Sequence, residues 1–290
     1  MFIPAGLMAD LIAALPMEDR IEIVDVGASN VSDKELPSYD ALLTNNLARL
    51  TGFEPNPAEL EKLTPSDTRR YLPYAIGTGT TVPFHITQSP GFCSTLKPNP
   101  LLNAAIHSFG PLTEVLSVEK MKTRRLDDLD EISRVDFLKI DIQGGEVAAF
   151  KGGATKLTTL LCVQTEVAFV PIYEKQPLFA QQDAILQNFG LRFFGMTAIH
   201  RYAFEGASRG IRKRSRRTDI GQWVDADAVY LRDFLTWDAL PLADLKRLFF
   251  ILLSSFSAAS ATMRLGQLLV DDGALTPALL SKLEAHFIPA

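Results

Sequence analysis

Cysteine is nearly missing from this chain: Cys93 and Cys162 are the two among 290 residues, and each has small or apolar neighbours. No disulfide framework can be built from them, so a reducing cytoplasm is the expected setting. An excess of positive charge is also missing, since the formal net charge is −5. That argues against a general nucleic-acid or membrane-surface coat, although a local patch can escape the average. Long apolar runs are lacking as well. The most apolar window, Leu248 to Met263, is interrupted by Ser254, Ser255, Ser257 and Ser260. It is shorter than the roughly 20 residues of a membrane-spanning helix, so a buried or partner-facing helix is expected. The opening "MFIPAGLMADLIAALP" has no basic leader and already carries Asp10, which argues against a secretion signal.

What is present is ordinary globular material. With 47 % hydrophobic and 22 % charged residues, the chain can bury a substantial core. Apolar stretches of strand length occur at Ile21–Val26, Leu50–Glu54, Tyr71–Ile76, Val82–Ile86, Val115–Val118, Phe137–Ile142, Leu160–Val167, Leu191–Gly195 and Trp223–Leu231. Helical pieces such as Pro57–Leu63, Glu146–Phe150 and Phe179–Phe189 fall between them. The alternation predicts an α/β fold, a parallel sheet between helices with its ligands at the carboxyl ends of the strands. From about Leu240 the pattern is wholly helical. Thr276 and Pro277 form an N-cap with proline at the first helical position, and Gly273 stops the preceding helix. The expected division is therefore 1–236 for the main domain and 237–290 for a small helical appendage.

Acids end several of the apolar runs. "IEIVDVGAS" (21–29) closes a strand with Asp25 and then Gly27, where the backbone can approach a ligand. Gly27 stands alone where a dinucleotide fingerprint has three spaced glycines, so a cofactor without a pyrophosphate is favoured. "TGFEPNP" (51–57) ends the next strand with Glu54, about thirty residues after that glycine and placed to hold two ribose hydroxyls. The plainer reading is a glutamate that starts a helix. "VDFLKIDIQGGE" (135–146) crowds Lys139, Asp141 and Glu146 around a strand exit, and "VQTEV" brings Glu166 to the end of the following strand.

Taken in order, "IVDVGAS", "GFEPNP", "RLDDL", "VDFLKIDIQGGE", "FKGG" and "VQTEV" resemble the FkbM-type methyltransferases, over roughly residues 20 to 195. The resemblance implies a class I methyltransferase fold, a Rossmann-like seven-stranded sheet with helices on both faces, using S-adenosylmethionine. Members mostly methylate hydroxyls of sugars, glycolipids or polyketide-derived products. By position, the resemblance implies a cofactor site of Asp25, Gly27, Ala28, Glu54, Pro55 and Asp141. Asp25 and Gly27 lie by the methionine part, Glu54 on the ribose and Asp141 beside the sulfonium. One run departs from the family: "GASNVSDKELPSYDALL" replaces a compact glycine turn with a loop that Tyr39 is placed to anchor, and the contacts of residues 29–33 stay open.

A methyl leaves a sulfonium by in-line displacement, so the acceptor oxygen must be close, aligned and relieved of its proton. Asp141, Glu166 and His200 are the catalytic candidates, with His85 and His107 as weaker alternatives. Lys139 shares a strand face with Asp141 and is placed to lower the pKa of a neighbouring carboxylate; the plainer reading is an ion pair that orders the strand ends. A divalent metal on Asp141, Glu166 and a third oxygen is chemically sensible, but no spacing compels it. "SRGIRKRSRR" (208–217) packs six of the 29 basic residues into ten positions. It reads as a solvated loop or as an arginine patch for a phosphorylated acceptor. The expected function is O-methylation of a sugar, glycan or natural-product hydroxyl. The alternatives are a nucleic-acid methyltransferase steered by the basic stretch and a non-catalytic cofactor-binding module. The C-terminal helices suit docking to a second subunit or another protein.

Overall fold

The computed structural model describes residues 3–29, 36–217 and 221–288, so the middle of the departing run, residues 30–35, lies outside the described residues. Ten strands are present among the described residues: β1 (Ile21–Val26), β2 (Ala48–Phe53), β3 (Arg69–Leu72), β4 (Ala75–Ile76), β5 (Thr81–Thr87), β6 (Val115–Arg124), β7 (Phe137–Ile140), β8 (Cys162–Ala168), β9 (Leu191–Tyr202) and β10 (Gln222–Arg232). Seven form the main sheet in the order β3-β2-β1-β7-β8-β10-β9. β3, β2, β1, β7 and β8 run parallel, and β10 is antiparallel to both β8 and β9. This is the mixed seven-stranded α/β sheet of the class I methyltransferase fold.

Alternation along the strands sends side chains to two separate cores. Ile21 and Ile23 of β1 and Phe137 of β7 face one side; Val24, Val26, Leu138 and Ile140 face the other. The second face is covered by helices Glu146–Gly152 and Phe179–Asn188, through Ala149, Phe150 and Leu186. The first is covered by helices Ala5–Ala14, Asp40–Thr44 and Leu242–Ser255, whose Leu248, Phe249, Ile251 and Leu252 are fully buried. Helices Ala259–Asp271 and Pro277–Phe287 extend that same core. The segment after residue 236 thus covers one face of the sheet. Its expected cap is present, with the Thr276 side chain accepting from the Leu279 amide, and Gly273 adopts φ +78°. No helix among the described residues is long and apolar enough to cross a membrane.

Several expected boundaries shift for identifiable reasons. The stretch read as one strand, Tyr71–Ile76, is divided at Pro73, and β4 joins a second, three-stranded sheet with β5 and β6. β7 ends at Ile140 because Gln143 and Gly144 take left-handed φ of 55° and 94° and turn the chain. The basic stretch expected as a loop is a helix, Arg209–Arg217. Arginine and lysine are good helix formers, and the Ser208 hydroxyl accepts from the Ile211 amide at its start.

Candidate active site

The carboxyl ends of β1, β2, β7 and β8 meet along one edge. Gly27 follows β1 with φ +85°, and a Cβ there would lie 2.2 Å from the Asp141 carbonyl oxygen. The Asp141 amide donates to the Val26 carbonyl at 3.1 Å, so the two strand exits touch through backbone. Only glycine fits that approach.

Asp25 lies beneath this contact and is 2 % exposed. Parallel pairing puts it opposite Lys139, whose ammonium donates to it at 3.3 Å, while the Tyr39 hydroxyl donates at 2.5 Å. Burial pushes the Asp25 carboxyl up, against the pull of Lys139 and Tyr39. For Lys139, burial works against the charge, but Asp25 and Asp141 outweigh it and hold the ammonium. The Lys139 partner is therefore Asp25 across the sheet, and the expected lowering of a carboxyl is outweighed by burial. Tyr39 is thereby tied to β1, and Ser38 adds a bond to Gln164 of β8 at 2.5 Å.

Glu54 follows β2 and is 5 % exposed. Its carboxylate accepts from the Asn56 amide at 2.7 Å. Burial raises its pKa, while bonds from Asn56 and Ser29 pull it back. A carboxylate has about four acceptor positions, so this one keeps capacity for ligand hydroxyls. Ala28 is buried beside it, its amide and that of Gly27 both donating to the Phe53 carbonyl. Pro55 stands between Glu54 and the N-cap Asn56 of helix Pro57–Leu60.

Past β7, the turn 141–146 is organised by its own last residue. Glu146 Oε1 accepts from the Ile142 amide at 3.0 Å and the Gly144 amide at 3.2 Å. Burial and the nearby Asp141 push its carboxyl up to about 7 in spite of those bonds. One oxygen each of Asp141, Glu146 and Glu166 lie within 4.8 Å of one another. Gln143 clamps the outer two, its Nε2 donating to Asp141 at 2.8 Å and to Glu166 at 3.2 Å. The Gln143 Oε1 lies 2.9 Å from the Tyr173 hydroxyl. Burial, then the charges of Asp141 and Glu146, push the Glu166 carboxyl well above its usual range. Three carboxyls this close must share protons or a hard cation.

The antiparallel strand brings further acids. Asp227 of β10 sits opposite Glu166, and Asp225 opposite His200 of β9. His200 Nδ1 is bonded to the Asp225 carboxylate, and that bond, outweighing burial, raises the imidazole pKa. The imidazolium is thereby favoured, which suits an anion partner better than a base. His85 is buried against the Ser94 carbonyl, and His107 pairs with Glu205.

Asp25, Gly27, Ala28, Glu54, Asp141 and Glu166 therefore gather at one edge, and His200 lies further out along it. Gln143, Tyr173, Asp225 and Asp227 were not foreseen. The "VDADAVY" stretch held a signal for the last two: acids two apart on an apolar strand share one face. Tyr173 comes from a loop distant in sequence and left none.

The edge is acidic, and Gly27 is not part of a glycine-rich phosphate loop, so the carboxylate acceptors here fit a cationic cofactor with ribose hydroxyls. Among solved structures, the chain is similar to magnesium protoporphyrin IX methyltransferase from Synechocystis PCC 6803 with bound SAM. Identity is 12 %, with 79 % of this chain and 75 % of that one covered, at a TM-score of 0.36. It is also similar to the Geobacter metallireducens GS-15 precorrin-6y C5,15-methyltransferase, with 13 % identity, 79 % and 87 % coverage and a TM-score of 0.31. A third likeness is to M. jannaschii TYW2 in complex with AdoMet, with 10 % identity, 80 % and 78 % coverage and a TM-score of 0.30. No curated protein sequence matches the chain. The methyltransferase FkbM domain matches residues 25–193, more than half of the chain and the whole of the edge from Asp25 to Glu166. The chain therefore belongs to the FkbM family of S-adenosylmethionine-dependent methyltransferases.

Proposed function

We propose that this protein is a cytoplasmic O-methyltransferase acting on a hydroxyl of a sugar, glycan, glycolipid or related natural product. The observation that carries the reading is the clamp of Asp141 and Glu166 by Gln143 at the exit of β7. When bound, S-adenosylmethionine supplies an electrophilic methyl on a sulfonium. Glu54 accepts the ribose hydroxyls, and Gly27 and Ala28 let the backbone come close to the methionine part. Asp25 acts from below, fixing Lys139 and Tyr39 in place.

Glu166, pushed toward its neutral form, leaves negative charge to the more exposed Asp141. Asp141 then takes the acceptor's proton as the methyl moves, and Gln143 holds both carboxyls in register through the change. Asp141, Glu146 and Glu166 would hold a divalent ion, which would supply Lewis acidity toward the same hydroxyl. His200 and Asp225 line the outer wall on the acceptor side.

The test is incubation of the protein with labelled S-adenosylmethionine and panels of hydroxylated, carboxylated and amine-bearing glycans. Label in a product stable to mild alkali is expected, as for an ether. Alkali-labile esters or N-methyl products alone would overturn the hydroxyl assignment.

A further inference from the structure

The basic helix Arg209–Arg217 stands at the same edge as the carboxylates. β9 runs parallel to β1, so its end at Tyr202 lies at the carboxyl edge, and the helix leads back from there to the start of β10. Outward from Glu166, the antiparallel register passes Asp227, then the Asp225–His200 pair, then Trp223 under the Arg201 guanidinium. The helix comes next, packed on β9.

Its surface is of two kinds. Arg209 and Lys213, one turn apart and on one face, are exposed, as is Arg214 on the flank. Beside these cations stand large apolar groups in water: Ile211 is 51 % exposed and Phe204 57 %. Leu101, 80 % exposed, belongs to the helix Pro100–Ala105, which abuts the same turn through the bond from the Glu205 amide to the Ala105 carbonyl. A small soluble anion needs no apolar neighbours, and a nucleic acid needs a series of stacking rings. Cations interleaved with exposed aliphatic and aromatic groups match the headgroup layer of an anionic bilayer.

We propose that the far end of this edge, beyond the acidic site, seats the enzyme on an anionic membrane surface, with the basic helix on lipid phosphates and Leu101, Phe204 and Ile211 in the interfacial layer. The mouth of the site then opens beside the bilayer, and the acceptor hydroxyl belongs to a lipid-anchored molecule, a point that rests on the O-methyl reading above. The chain's net charge of −5 keeps the rest of the surface away from the membrane and so sets the orientation.

Co-sedimentation with vesicles tests this without any methyl transfer. The full chain is mixed with phosphatidylcholine vesicles containing about a third phosphatidylglycerol, or with phosphatidylcholine alone. Binding to the anionic vesicles only, released by salt, is expected. Removing three cations in Arg209→Ser/Lys213→Ser/Arg214→Ser should lower it roughly 100-fold, at about 5-fold per residue. Phe204→Ser/Ile211→Ser should lower it about tenfold or more on the same vesicles. Both variants should bind S-adenosylhomocysteine like the parent, which shows them folded. Absence of anionic-vesicle binding by the parent, or binding that neither variant changes, overturns the proposal. Tighter binding to polyuridylate than to the vesicles overturns it in favour of nucleic acid. Failure to methylate any hydroxyl while vesicle binding persists would sink the O-methyl reading and leave this docking surface intact.

Discussion

Asp141 and Glu146 sit five residues apart in one turn and carry different burdens. Asp141 is exposed at the carboxyl edge of the sheet, whereas Glu146 is buried and holds the turn. Asp141→Asn preserves shape and removes the charge, so single-turnover methyl transfer should fall ~10²–10⁴-fold. S-adenosylmethionine should also bind more weakly than the uncharged demethylated product. A destabilised variant with normal turnover would reduce Asp141 to a structural acid. Glu146 affects stability through pH. Its folded pKa of about 7 lies above the ordinary 4.5, so folding favours the protonated form. The resulting stabilisation is complete below about pH 4.5 and is lost as pH rises through about 7, amounting to about 3 kcal/mol. Glu146→Gln resembles the protonated form and still accepts the Ile142 and Gly144 amides. Its melting temperature should lose that pH dependence between about 4.5 and 7, and a melt that follows the parent across this window would contradict the assignment.

At the scale of elements, the register of β1 on β7 decides which charges meet. It places Lys139 opposite Asp25, and each is the other's main compensation. Lys139→Met should strand the Asp25 charge and cost about 3–5 kcal/mol in urea unfolding. Adding Asp25→Asn should recover much of it, and additive losses in the double variant would show that the pair is not coupled. This pairing was not legible in the sequence, because a strand's face alternation is local while its neighbour and register are not. The acids at the ends of β1, β2, β7 and β8 were legible, since an ionisable group closing an apolar run stands out against its surroundings. β6 was seen over only four residues of its ten, Val115–Val118 of Val115–Arg124. Its side chains are exposed along nearly the whole strand, so no apolar period marks the rest. The basic stretch was misread as a loop because its charge hid an uninterrupted series of helix formers after Gly210.

For the molecule as a whole, the sheet needs covers on both faces, and one of them is built from both chain ends. Leu11 and Leu15 near the start share a core with Leu248, Phe249, Leu265 and Leu283 near the end. That part of the sequence was read as an appendage on pattern alone, since nothing in a helical period says what it packs against. A chain cut after residue 236 loses that cover and exposes Ile21, Ile23, Leu50 and Phe137. It should be insoluble or lack a cooperative thermal transition, whereas a soluble fragment that melts cooperatively would show the helices to be dispensable.

The central claim is that the carboxyl edge holds the methyl donor, with Glu54 on its ribose. Calorimetric titration of S-adenosylhomocysteine into the parent and Glu54→Ala tests it most directly. Loss of charge-assisted bonds worth ~1.5–3 kcal/mol should weaken binding by about 10- to 150-fold in the variant. Unchanged affinity in a Glu54→Ala protein that melts like the parent would contradict the account.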